Sequence, residues 1–147
     1  MLQLPGGPDT VKGITTENRL SSFIAAQSIQ PWIAVALYNG WTTYASRTLQ
    51  VRSVPSLNAV WMIGAITGGT VTDGTQVAFV GSGFPPANIP AALVCGITGQ
   101  SGNPEYFQQC YVEVETTGNV LLYGLGGVLT SPGHLSINGL YPLDPSP

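Results

Sequence analysis

From residue 32 onward, apolar and polar positions fall into short runs bounded by Gly, Pro and Asn. Such runs read as β-strands, because successive strand side chains point to opposite faces. Ile33-Ala34-Val35-Ala36-Leu37-Tyr38 leads into Asn39-Gly40, the dipeptide that most readily takes the positive φ values of a tight turn, and Trp41-Thr42-Thr43-Tyr44 follows. Residues 49–54 alternate imperfectly. Residues 59–66 are apolar on both faces, which predicts a central strand with Trp61 in the core. Residues 68–75 are turn-rich, and residues 76–80 form another strand. Pro85, Pro86 and Pro90 lack the amide donor of a ladder, so residues 81–90 read as irregular.

Residues 92–98 and 106–115 flank a Gly- and Pro-containing loop, and together they predict a hairpin with Cys95 nearly opposite Cys110. In its second strand Gln108, Cys110, Val112 and Val114 share one face, and Gln109, Tyr111, Glu113 and Glu115 the other. A turn at Thr117-Gly118-Asn119 leads to a strand at 120–123, and a last strand is expected at 134–138. About seven to nine short strands at regular spacing predict an all-β, antiparallel sandwich or barrel.

Residues 1–30 differ from the rest. Leu2, Leu4, Val11 and Ile14 are scattered among Pro and Gly without periodicity, so this segment cannot offset its own ordering entropy. It reads as an extended arm that orders against another surface. Leu20, Phe23, Ile24 and Gln27 follow helical spacing, with Thr15 or Thr16 as N-cap and Pro31 as stop. The expectation is therefore an anchoring arm with a short helix over 1–30, whose Leu20, Phe23 and Ile24 pack on the β-domain or on a threefold axis, and a β-domain over 31–147. No secretory leader and no apolar membrane span is visible.

Composition narrows the function. Charged residues are 7%, against ~25% in an ordinary soluble domain. Four Lys+Arg against seven Asp+Glu give a net charge of −3, which removes the basic footprint of a nucleic-acid or anionic-membrane binder. Surface polarity must come from the 40 Ser, Thr, Asn and Gln residues. Such a surface suits a subunit packed in an assembly better than a free monomer. Two cysteines make neither a disulfide scaffold nor a zinc site, and buried free thiols are expected.

No catalytic constellation emerges. His134 is the single histidine and has no Cys or Asp beside it in sequence, so a surface or loop histidine is expected. Gly99-Gln100-Ser101-Gly102 lacks the closing Gly and the strand–turn–helix context of a nucleophile elbow. Glu113 and Glu115 on an outward strand face read as solvated charges rather than an acid/base pair. The expectation is a protein without enzymatic activity, metal or cofactor. Aromatic residues are the remaining candidates, because an exposed Trp or Tyr offers an apolar face and a polar edge to a sugar or a protein. Trp32, Tyr38, Trp41, Tyr44 and Trp61 cluster early, and Tyr106, Phe107, Tyr111 and Tyr123 later. Trp41, Tyr44, Tyr106 and Tyr123 are the candidate platform.

The order of these features resembles a module of tailed-bacteriophage tail fibres and minor tail proteins. Trp41 follows Leu37-Tyr38-Asn39-Gly40, Tyr44 comes next, and the stretch Val51 to Thr70 closes on Gly64-x-Ile66-x-Gly68-Gly69-Thr70. Gly74-Thr75-Gln76-Val77 then runs to Gly83-Phe84-Pro85-Pro86, with Gly81 where such modules usually carry Pro. Val112 to Val120 and Leu135 to Leu143 are similar to the late elements. The resemblance spans about residues 32–143. It implies an antiparallel β-domain, homotrimeric and exposed on a virion. Capsid or tail proteins are the implied partners, a host surface glycan the alternative ligand, and synthesis takes place in the host cytoplasm. A short arm plus one β-domain equally suits a capsid decoration or head fibre protein.

Overall fold

Alternation along the strands and a single short closing segment explain the architecture. The computed structural model describes residues 18–21, 30–98, 107–124 and 133–144. Ten strands occur in these residues: β1 Ile33–Ala34, β2 Ala36–Leu37, β3 Thr42–Thr43, β4 Gln50–Val54, β5 Ala59–Thr67, β6 Thr75–Phe79, β7 Ala91–Thr98, β8 Phe107–Val114, β9 Asn119–Tyr123 and β10 His134–Pro142. They form one antiparallel sheet in the order β1-β4-β5-β10-β7-β8-β9-β6-β2, with β3 also on β5. The expected all-β fold is what forms.

The sheet begins and ends on neighbouring residues. β1 pairs with β4 and β2 with β6, and only Val35 separates them. Val35 donates its N–H to the Leu49 carbonyl at 3.1 Å, and Tyr38 donates to Val77 at 3.0 Å. One five-residue segment thus covers both edges of the sheet and closes it into a barrel, which removes the unpaired edges that invite aggregation. The apolar run at 33–38 is therefore not one continuous strand, as its pattern suggests, but two short ones serving opposite edges. Asn39 (φ 53°) and Gly40 (φ 80°) make the expected turn, closed by the Trp41 N–H on the Tyr38 carbonyl. The strand after it leaves for β5 instead of pairing back.

Inward positions fill the barrel. Val60, Met62 and Ile66 of β5, Leu93, Cys95 and Ile97 of β7, Val112 and Val114 of β8, and Leu135 and Ile137 of β10 are all buried. The hairpin of β7 and β8 has the expected register, with Cys95 directly across from Cys110. Gly64 in the middle of β5 carries a φ of +151°, and a Cβ there would stand 2.5 Å from the Leu49 Cα. The Thr48–Leu49 backbone crosses β5 at that point, an approach only glycine permits. This crossing lets Gln50 rejoin β5 at Ile63 after the loop that follows β3.

One expectation needs correction. Trp61 is not a core residue: Val60 and Met62 on either side point inward, so strand parity turns Trp61 out to the barrel surface, where it is half-buried. Leu20, in the helical residues 18–21, is 56% exposed. Leu2, Leu4, Val11, Ile14, Phe23 and Ile24 lie outside the described residues. No described helix is long and apolar enough to cross a membrane.

Candidate functional site

The expected aromatic platform is not formed as a unit. Trp41 is buried at 3% exposure, because the Asn39-Gly40 turn swings its indole inward over Gly69. It is a packing residue, and its place in the platform is withdrawn. Tyr44 is exposed, and its ring stacks on His134 with centroids 4.3 Å apart and planes 8° off parallel. His134 is not a free surface histidine either: its Nδ1 lies 3.0 Å from the Thr98 hydroxyl. Tyr123 stacks on Tyr111 at 5.4 Å on the outer face of β8 and β9. Lost solvation, then the charges of Glu113 and Glu115, push the Tyr123 phenol up, so it stays a neutral donor. Tyr106 lies outside the described residues. Among the described residues no ring contact joins Tyr44 to Tyr123.

Glu115 accepts hydrogen bonds from the Thr117 hydroxyl at 3.2 Å and the Asn119 amide at 3.1 Å, which ties it to the turn between β8 and β9. Its role there is structural.

The best-built surface cluster lies elsewhere, on the outer face of β4, β5 and β10. Register sets Arg52 of β4 opposite Trp61 of β5, and Trp61 opposite Leu140 of β10. Trp32, just before β1, meets Trp61 edge-on with ring centroids 5.3 Å apart and planes at 62°. The Arg52 guanidinium carbon sits 4.4 Å from the Trp32 ring centroid and 4.8 Å from that of Trp61. A guanidinium held by two indoles loses rotamer freedom, and each such contact contributes roughly 0.5–1 kcal/mol at an exposed site. Asn138 of β10 accepts a 2.9 Å hydrogen bond from the Trp61 indole N–H, which fixes that ring as well.

Beside this cluster opens a groove of about 300 Å³ whose walls include Arg52, Ser53, Pro55, Leu57, Trp61 and Leu140. Leu57 is 61% exposed and Leu140 49%. A second, wider depression of about 550 Å³ lies on the same outer face, along Arg47, Gln50, Ile63, Ser136 and Asn138. The groove therefore combines an apolar wall, the fixed Trp61 ring and a cation in one concavity, which is what a small polar ligand with an apolar side requires. Sequence reasoning did not single out Arg52, Trp61 and Asn138 as members of a surface cluster. The usable signal was parity: with Val60 and Met62 in the core, Trp61 must face out.

No known protein family matches this sequence, and no curated protein is similar to it. Among solved structures, the fold is similar to the crystal structure of the receptor binding protein (gp15) of Listeria phage PSA, with a TM-score of 0.61 and 16% identity. The match covers 95% of this chain and 80% of that one. At this identity the likeness establishes a shared fold.

Proposed function

We propose that this chain is a surface β-domain of a tailed-phage virion that recognises the host cell by binding, without turnover. The observation that carries this reading is the likeness of fold over nearly the whole chain to a phage receptor binding protein. The ordered Trp32–Arg52–Trp61 cluster beside an open groove supports it from the chain's own residues. In this reading the protein is a homotrimer held to the particle by residues 1–30. Its location on a capsid, as a decoration or head fibre protein, is the second reading. The charge-poor surface favours that alternative, because such a surface suits a subunit packed among others.

The direct test is adsorption. The full chain carrying a fluorescent label should decorate the cells of a susceptible strain in a bacterial panel, compete with phage for adsorption, and leave a bound wall glycan at its original chain length. Failure to label any strain, with cryo-electron microscopy placing the chain on the capsid shell, would replace this reading by the decoration reading.

A further inference from the structure

We infer that the Trp32–Arg52–Trp61 cluster is the subsite for a carboxylate-bearing saccharide, with the acid group on Arg52 and the sugar ring against Trp61 and Leu140. The assignment rests on the proposed recognition role and names the ligand chemistry of that site.

The argument starts from charge. The chain has four Lys+Arg and a net charge of −3, so its overall field repels acids. An acidic ligand must then be recruited by one placed cation. Arg52 is such a cation, and the contacts that hold it among the described residues are those with the two indoles. With their centroids only 5.3 Å apart, the two indoles lie on one side of the guanidinium. Its N–H groups away from them form a fork that matches a planar carboxylate in bidentate fashion.

Arg52 also lines the groove, together with the apolar Trp61, Leu57 and Leu140. Its acid-binding edge and a surface for the apolar face of a sugar ring therefore share one concavity, whose volume suits a single residue of a glycan. The other polar side chains of this wall are the hydroxyls of Ser53 and Ser56, which can bond sugar hydroxyls but carry no charge. Arg52 is the one cation among the residues that line this groove, and a single guanidinium matches a monoanionic carboxylate in charge. The fixed Trp61 ring, held by Asn138 at 2.9 Å, means that little ordering remains to be done on binding.

The probes are D-glucuronate, D-glucose and D-glucose 6-phosphate, titrated into the full chain and read by tryptophan fluorescence and calorimetry. Glucuronate should bind at least tenfold more tightly than glucose. Arg52→Gln should erase that preference while leaving the weak binding of glucose in place, with a cooperative thermal transition and a native circular dichroism spectrum as the folding control. Should Arg52→Gln fail to fold, the wild-type chain decides. Its preference for glucuronate should shrink at least threefold between about 20 and about 500 mM salt, as an ion contact at a partly exposed site does. Equal binding of glucose and glucuronate, tighter binding of glucose 6-phosphate, a preference that survives Arg52→Gln, or one indifferent to salt would each overturn the assignment. A chain that labels cells yet shows no preference for glucuronate overturns this inference and leaves the recognition role standing. A chain that prefers glucuronate but labels no strain does the reverse.

Discussion

The pairing of Trp41 with Gly69 decides how the first third of the chain is used. A Cβ built on Gly69 would come within 2.1 Å of the Trp41 indole, so the ring rests directly on the glycine backbone. Two motifs that drew attention in sequence, the Trp after the Asn39-Gly40 turn and the Gly68-Gly69 pair, are therefore one packing contact. Gly69→Ala should destabilise the fold by about 3 kcal/mol, the upper end for overpacking a core, seen as a lowered denaturant midpoint. Trp41 carries a second feature: its buried indole N–H has no hydrogen-bond partner among the described residues. Trp41→Phe removes that orphan donor along with some volume, whereas Trp41→Ala opens a cavity. The phenylalanine variant should lose less than half of the roughly 3–5 kcal/mol lost by the alanine variant. Equal losses in chemical denaturation would show that the indole N–H is satisfied in solution.

Strands β7 and β8 bring two thiols together inside the barrel. Cys95 and Cys110 face each other in register with sulfurs 3.4 Å apart, and both are buried and free. The hydrogen bond shared with Cys110, reinforced by burial, pushes the Cys95 thiol well up from the ordinary thiol range. The same hydrogen bond lowers the Cys110 thiol, but both sulfurs are buried, so the folded protein should resist alkylation at neutral pH. Intact-mass analysis should find two labels after denaturation without reductant and fewer than one after a short treatment of the native chain. Zero labels in denaturant would mean that the pair is oxidised. The hairpin was legible because its loop residues and alternation are local. Its partners β10 and β9 were not, since those pairings depend on which edges remain open once the barrel closes.

For the whole molecule, closure by residues 33–37 leaves the outer barrel surface as the place for contacts. Outside the groove that surface carries Ile33 and Val94, 47% and 64% exposed, and little charge. Apolar, uncharged patches of this kind are what protomer contacts bury. The trimer proposed above should sediment at micromolar concentration near three times 15.3 kDa. A single species at the monomer mass would remove it. Deleting residues 1–14 should leave the circular dichroism spectrum and the sedimentation of the β-domain unchanged, and should abolish incorporation into particles. Virions that retain the shortened chain at full occupancy would move attachment into the β-domain.

The sequence by itself determined the fold class, most strand positions, the irregular prolines of residues 81–90 and the facing cysteines. Each of these follows from alternation, turn chemistry or the absence of an amide donor within a few neighbouring residues. Only the tertiary structure decided which aromatics face out. Trp41 and Trp61 exchange the roles that local pattern suggests, because a side chain's environment depends on strands far away in sequence. Gly69 admits Trp41 to the interior, while Arg52, Asn138 and Leu140 from two other strands give Trp61 its surroundings on the surface. An apolar run declares that a strand will be covered, but the curvature and closure of the sheet decide which of its faces the core takes.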